Sequence, residues 1–483
     1  MVKYGVTRIP CPLRSAARRS PDAPAIVGAG VALTFGELDR RVSVAATRIR
    51  ELGLGAGDRV ALYLPKDEGY FVLLLALIRA QCVACLLSTR LPPRGAAPLP
   101  ERIGCRSIVS RAEDLLEMTD VRALRPEDLL SDEMALDQPQ PTGELGLAPD
   151  QPSTIVFTSG STGVPKAALH TFGNHFFSAQ GSNANIVLVP GDCWLHSLPL
   201  YHVGGLSILF RCLLAGAAVA LAEPGAPLGK AIADSGATHV SLVSTQLSRL
   251  LREKDFEKGR LKAILLGGSP MPLSLMDEAA ARRLPVHTSY GLTEMASQVT
   301  TTPPGASQKE LRTSGRPLSH REVEISNDGA ILVRGETLFS GYVKSDIVYR
   351  PLDMDGWFRT GDLGDVDESG YLLVWGREDN LFVSGGENVQ PEEIEEALSG
   401  LEGVEEAVVV PVGDQEFGAR PVAFVQTVGG SVEPDALVLG LEKILPRFKI
   451  PVSFHAWPEE AEAGGIKVDR SIFRERARQL HRG

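Results

Sequence analysis

Between Ser153 and His170 the chain reads Ser-Thr-Ile-Val-Phe-Thr-Ser-Gly-Ser-Thr-Gly-Val-Pro-Lys-Ala-Ala-Leu-His. The β-branched and aromatic run at 153–157 reads as a buried strand. It empties into Thr158, Ser159, Gly160, Ser161, Thr162 and Gly163, residues with almost no bulk. Backbone N–H groups in such a turn can approach an anion closely, and the hydroxyls add donors at no steric cost. Pro165 stiffens the exit and Lys166 supplies a cation. The chemistry this suits is phosphate binding. It is not the P-loop of common NTPases: Val164 and Pro165 separate Gly163 from Lys166, and Ala167 follows the lysine where a Ser or Thr is required. Gly/Ser/Thr clusters are more often surface linkers, but here a strand feeds the loop and a Pro-Lys pair closes it.

Three further stretches could join it. Tyr290-Gly291-Leu292-Thr293-Glu294 follows an apolar strand expected to end near Thr288. A carboxylate at such an edge can hold a hard cation, although many are only first-turn residues of a helix. Thr360-Gly361-Asp362 sets a carboxylate after a tight turn, where it can accept both hydroxyls of a ribose or merely bond its own backbone. Gly464-Gly465-Ile466-Lys467 puts a lysine on a glycine-flanked loop, able to swing into a site and stabilise developing charge; most lysines are solvated surface groups.

Taken in order, these stretches, Gly-Arg-x-Asp at 376–379 and Ser-Gly-Gly-Glu-Asn at 384–388 resemble the acyl-adenylate-forming family of acyl-CoA synthetases, luciferases and peptide-synthetase adenylation domains. The resemblance covers essentially the whole chain. It implies ATP, Mg²⁺ and coenzyme A as cofactor and co-substrates, and a small carboxylic acid as the partner to be activated. Thr158 to Lys166 would lie over the β- and γ-phosphates; Gly267, Gly268 and Ser269 would border adenine. Thr293 would contact the α-phosphate and Glu294 the Mg²⁺. Asp362 would hold the ribose, with Arg377 beside it, and Asp379 would be a hinge. Lys467 would bridge the acid and the α-phosphate during adenylation. After rotation of the C-terminal part, the face carrying Gly385 and Gly386 would replace it and help admit the thiol. One departure is Ile466, where the family usually has glycine directly before the lysine.

The acid is suggested by Pro199-Leu-Tyr-His202-Val-Gly-Gly205 and the apolar run behind it. His202 either gates an acyl pocket or is a satisfied core histidine. Arg211 sits inside an apolar helical pattern, which is costly unless the guanidinium meets an anion. That anion is either a structural Asp/Glu or a second carboxylate on the substrate. With Gly-Leu-Thr-Glu-Met-Ala-Ser-Gln-Val-Thr at 291–300, the segment resembles the branch of the family that activates an aromatic dicarboxylic acid for quinone biosynthesis. Arg211 is then the expected anchor, with Ser289, Ser297 and Thr300 as neighbours. Other aryl- or acyl-CoA ligases and an inactive binding relative are the alternatives. A carrier-loading adenylation domain is disfavoured, since no Asp-Ser-Leu attachment segment is present.

These groups need a scaffold. Thr34-Phe-Gly-Glu37 has capping-box spacing ahead of a helical pattern. Strands at 59–64 and 107–110 flank a helix at 68–80. Apolar runs at 217–222, 239–243, 263–266 and 286–289 alternate with helical patterns. From about Gly315 the strands shorten around the hairpin signal Asp328-Gly329. The last hundred residues read as helix 391–398, strands 407–410 and 421–426, and helix 434–443. The expected fold is α/β: a large N-terminal domain (1–376) of mixed or parallel sheets with flanking helices and a β-rich subdomain, then a small mobile α+β domain (377–483).

The chain has 483 residues, too many for one core, with 43% hydrophobic and 23% charged residues. A formal net charge of −11 disfavours general nucleic-acid binding. No apolar run approaches a membrane span, no secretory signal is evident, and six cysteines suit a reducing compartment, so cytoplasm is expected and a homo-oligomer is left open. Cys82-Val-Ala-Cys85 has metal or redox spacing, but lies in an apolar segment without a second pair and reads better as packing.

Overall fold

The computed structural model describes residues 7–130, 143–158, 165–254, 256–268, 271–427, 429–462 and 468–481. Ser159, Gly160, Ser161, Thr162, Gly163, Ser269 and Lys467 lie outside the described residues.

Two large sheets dominate. The first has eight strands, in the order Ile347–Tyr349, Gly341–Lys344, Lys166–Thr171, Pro152–Thr158, Val83–Leu86, Arg59–Tyr63, Cys105–Ser110 and Arg122–Leu124. It is parallel from Pro152–Thr158 to Arg122–Leu124 and antiparallel beyond, where Lys166–Thr171 folds back on Pro152–Thr158. The second has nine, in the order Arg316–Pro317, Ser297–Thr301, Val286–Leu292, Ala263–Leu266, His239–Leu242, Cys193–Leu195, Ala218–Ala220, Pro24–Gly28 and Val31–Thr34. Its central strands are parallel. Such strands are buried on both faces, which explains their near-continuous apolar sequences.

Helices fill the space between. Phe35–Glu51 starts with the expected capping box, Thr34 N–H on Glu37 Oε2 at 2.8 Å and Glu37 N–H on Thr34 Oγ1 at 3.2 Å. Glu68–Arg79 is capped by Asp67 and buried along almost its whole length. Phe172–Asn185 touches Lys166–Thr171 in one sheet and Ser297–Thr301 in the other, and packs on Val203–Ala215. Beneath them, Asp39 is shared by two guanidiniums, Arg14 Nε and Arg79 Nη2, each at 2.6 Å. Cys82 and Cys85 are buried in two different apolar clusters, and all six cysteines are free and buried. No described helix is long and apolar enough to cross a membrane.

The strand expected to stop near Thr288 runs on to Leu292. Up to Thr288 it pairs in parallel with Ala263–Leu266, and from Ser289 it pairs antiparallel with Ser297–Thr301, so a second partner carries it four residues further. After it, Glu322–Ile325, Ala330–Arg334, Phe358–Val366 and Leu372–Arg377 form an antiparallel sheet, with Asp328-Gly329 in the first turn. The remaining residues build Val404–Asp414, Gly418–Thr427 and Phe454–Ala456, covered by helices Pro391–Ser399, Pro434–Leu441 and Arg470–Leu480. Their apolar clusters contain only residues from Phe382 onward, and the clusters of the large sheets contain none of these.

Candidate active site

Thr158 and Lys166 are direct cross-strand partners, so the phosphate loop joins two adjacent antiparallel strands. On the next strand over, Tyr342 pairs with Ala168. The Lys166 ammonium lies 5.3 Å from the Tyr342 ring centroid, and the Tyr342 phenol donates to Glu294 Oε1 at 2.5 Å. Burial, then the Glu294 charge, raises the Tyr342 pKa, so the phenol keeps the proton it donates to the carboxylate. Tyr342 thus links the loop's cation to the expected metal carboxylate. Nothing in the sequence marked it: a tyrosine in a β-rich run reads as packing.

Thr293 and Glu294 occupy the turn of the Val286–Leu292/Ser297–Thr301 hairpin. Tertiary bonds fix both carbonyls: His170 Nε2–H donates to Thr293 O at 2.7 Å, and Phe339 N–H to Glu294 O at 2.8 Å. Burial pushes the His170 imidazole down to about 4, which keeps it neutral. Gly267 and Gly268 end the neighbouring strand. A Cβ at Gly267 would stand 2.7 Å from the Ser289 hydroxyl, and Gly268 has φ +86°, so neither position readily takes a side chain. Both follow the carboxyl end of a parallel strand, the place where open α/β sheets bind ligands.

Asp362 faces the same hairpin. Its Oδ2 accepts from the Tyr290 phenol at 2.5 Å and its Oδ1 from Arg377 Nη1 at 3.0 Å. Arg377 also bonds Thr360 O at 3.0 Å and Asp379 Oδ2 at 3.2 Å. The carboxylate is therefore oriented from two sides. Tyr290, read from sequence only as part of a motif, is one of its two holders.

On the acid side, Arg211 is 1% exposed within Val203–Ala215. Its Nη2 donates to Ser297 Oγ at 3.1 Å, its guanidinium lies 5.2 Å from the Trp194 ring centroid, and its Nε has no partner. Burial lowers its pKa to about 10, still charged at neutral pH. No described carboxylate pairs with it, so the structural-ion-pair alternative finds no support among the described residues. Of the expected neighbours, Ser297 meets it; the Ser289 hydroxyl donates to Leu266 O at 2.8 Å and Thr300 to Ser314 O at 2.5 Å. His202 stands just before the helix, exposed and edge-on to Tyr201, which overturns the core-histidine alternative.

Asp379 lies in a short 3₁₀ turn just past the last strand of the antiparallel sheet. Gly385 and Gly386 make the turn between Phe382–Ser384 and Glu387–Val389, at φ +61° and +89°. Gly385 N–H bonds Phe417 O at 2.9 Å, and a Cβ there would strike the Phe417 ring at 2.8 Å.

The model of the AMP-binding enzyme family matches residues 13–343, and that of the AMP-binding enzyme C-terminal domain matches 393–462. The chain belongs to the AMP-binding enzymes. Among members of this family, it is 34% identical over 454 residues to the 2-succinylbenzoate–CoA ligase of Bacillus licheniformis, covering 92% of this chain and 95% of that protein. The o-succinylbenzoate CoA synthetase of Bacillus subtilis in complex with its acyl-adenylate intermediate superimposes with a TM-score of 0.85 at 30% identity, covering 95% of this chain and 98% of the other. The same protein with ATP and a magnesium ion gives a TM-score of 0.83 at 30% identity, with 93% and 96% covered. As an AMP-binding enzyme, the chain has the α/β architecture read from its sequence.

Proposed function

We propose that this AMP-binding enzyme is a 2-succinylbenzoate–CoA ligase acting in menaquinone biosynthesis in the cytoplasm. The observation that carries the reading is Arg211, a buried guanidinium without a carboxylate partner among the described residues, bonded to Ser297 and leaving Nε unspent. A buried cation of this kind is costly until an anion arrives. An acid with one carboxylate spends it on chemistry; 2-succinylbenzoate activates its succinyl carboxylate and keeps the ring carboxylate for Arg211. His202 then stands at the mouth of the acid pocket, with Ser289 and Thr300 on the strands that wall it.

The residues present fit ATP and Mg²⁺. Gly267 and Gly268 border adenine, Asp362 takes the ribose hydroxyls with Arg377 fixing its direction, and Thr158, Lys166 and the intervening loop take the β- and γ-phosphates. Thr293 meets the α-phosphate. Glu294 is the cation ligand: it is buried, held by Tyr342, and in no ion pair among the described residues. Mg²⁺ bound there offsets phosphate charge and polarises the phosphoryl group. Lys467 holds the acid's carboxylate beside the α-phosphate, which reduces repulsion between two anions. A carboxylate oxygen attacks the α-phosphorus, and the bond to pyrophosphate breaks. Residues 377–483 then turn about Asp379 as a small domain against residues 1–376, bringing Gly385 and Gly386 to the channel. The coenzyme A thiolate attacks the acyl carbon, and AMP leaves with its bonding electron pair.

The test is a coupled assay with 2-succinylbenzoate, ATP, Mg²⁺ and coenzyme A, run beside a panel of aryl and fatty acids. Wild-type enzyme prefers 2-succinylbenzoate, and Arg211→Ala lowers its kcat/KM by roughly a hundredfold, the scale of a lost buried charge pair. Unchanged kcat/KM in the variant removes the anchor.

A further inference from the structure

Immediately after Glu294 the backbone does something unusual. Ala296 and Ser297, neither of them glycine, take φ +54° and +128° in succession. Alanine and serine have no intrinsic preference for this region, and such conformations persist only where the surroundings over-determine them. Ser297 is also the residue whose hydroxyl meets Arg211.

The surroundings are specific. Ser178 Oγ donates to Ala296 O at 2.9 Å. Arg321 Nε donates to Gln298 O at 2.6 Å, so carbonyls on both sides of Ser297 are gripped. The other Arg321 nitrogens anchor it elsewhere: Nη1 on Ser319 O at 2.8 Å, Nη2 on Ser178 O and Ser178 Oγ at 3.0 Å each. The helix Phe172–Asn185 gives up a side chain to let this guanidinium in, since a Cβ at Gly181 would stand 2.2 Å from Arg321 Nη1 and 2.5 Å from Ser319 O. Arg321 is 6% exposed and no carboxylate takes part in these bonds. Two buried guanidiniums therefore meet this corner, Arg211 at the Ser297 hydroxyl and Arg321 at the Gln298 carbonyl. Ser297 Oγ accepts hydrogen bonds from Arg211 Nη2 at 3.1 Å and from Ser207 Oγ at 3.2 Å, and its own O–H is left to donate.

We propose that Arg321, acting through Ser178 and the Gln298 carbonyl, clamps the Ala296–Ser297 corner and so aims the Ser297 hydroxyl and Arg211 at the second carboxylate of the acid. This rests on the dicarboxylate reading and adds a positioning residue to it. Arg321 touches no substrate; its role is to make the acid pocket selective.

The experiment compares kcat/KM for 2-succinylbenzoate with that for 3-benzoylpropionate, the same skeleton without the ring carboxylate, in wild type, Arg321→Met, Arg321→Lys and Ser178→Ala. The KM for ATP is measured in parallel. Arg321→Met lowers the preference for the dicarboxylate by roughly tenfold and Ser178→Ala by about threefold, the scale of one or two lost hydrogen bonds. Arg321→Lys falls between wild type and Arg321→Met. The ATP KM and the monocarboxylate kcat/KM stay near wild type. Should Arg321→Met fail to fold, Ser178→Ala, which deletes one hydroxyl, gives the answer. A preference that survives Ser178→Ala and every folded Arg321 variant overturns the clamp, even where overall activity drops. A wild-type enzyme with no preference between the two acids overturns the dicarboxylate reading itself.

Discussion

The phenol of Tyr342 donates to Glu294 Oε1 at 2.5 Å while its ring lies under the Lys166 ammonium. One side chain thus touches both the expected metal ligand and the exit of the phosphate loop. Tyr342→Phe keeps the ring and removes the donor, leaving a buried carboxylate oxygen without its partner. The Mg²⁺ concentration for half-maximal adenylation rises and kcat falls, each by about tenfold. The KM for coenzyme A does not change. A Mg²⁺ titration of pyrophosphate release checks this, and identical Mg²⁺ curves for variant and wild type would show that Tyr342 only packs.

Asp362 is held from two sides, by Tyr290 and by Arg377. Asp362→Asn raises the KM for ATP by more than tenfold, because the amide loses charge and half its acceptor capacity for the ribose. Tyr290→Phe, which removes one holder and leaves the carboxylate, raises it only about threefold. Steady-state kinetics against ATP at saturating acid rank the two, and a reversed order would place the nucleotide elsewhere.

The shared carboxylate of Asp39 makes a different kind of prediction. Arg14 and Arg79 are both buried against it. Asp39→Asn leaves two guanidiniums without a counter-charge and destabilises the protein by about 3–5 kcal/mol, whereas the KM values of whatever remains folded stay unchanged. Urea unfolding measures the loss; a change within about 0.5 kcal/mol contradicts it.

Acid sensitivity follows from buried histidines. Burial pushes His170 from 6.5 to about 4 and His196 to about 3. The unfolded chain takes up these protons near 6.5, the native protein only near the lower values. Their contribution to stability is complete above pH 6.5 and is lost as pH falls from there toward 4 and below. His170→Gln reduces the slope of stability against pH in this window by up to about 1.4 kcal/mol per pH unit. Unfolding curves across the window test it, and a slope unchanged by the substitution excludes His170 as a contributor.

What could be read beforehand was local. The capping box at Thr34, the hairpin at Asp328-Gly329 and the strand ahead of the phosphate loop are short-range signals, and each formed as expected. Thr293, Glu294 and Asp362 could be singled out as candidates because their motifs are written in consecutive residues. Tyr342 was not, since its role depends on an antiparallel pairing with Ala168 that brings a distant segment alongside the loop. Nor was the Ala296–Ser297 corner, because neither residue type advertises a positive φ and the clamp arrives on Arg321 from another part of the chain. The length of Val286–Leu292 was underestimated for a related reason: its last residues are held by a strand that follows it.

The six cysteines carry a consequence for the chemistry. An acyl-adenylate is an electrophile that esterifies any thiolate within reach. Every cysteine of this chain is buried, and burial raises the thiol pKa of Cys82 to about 12, of Cys193 to about 11, and of Cys85 and Cys212 well above the usual range. None of these six thiols is therefore presented as an exposed thiolate to an activated acyl group.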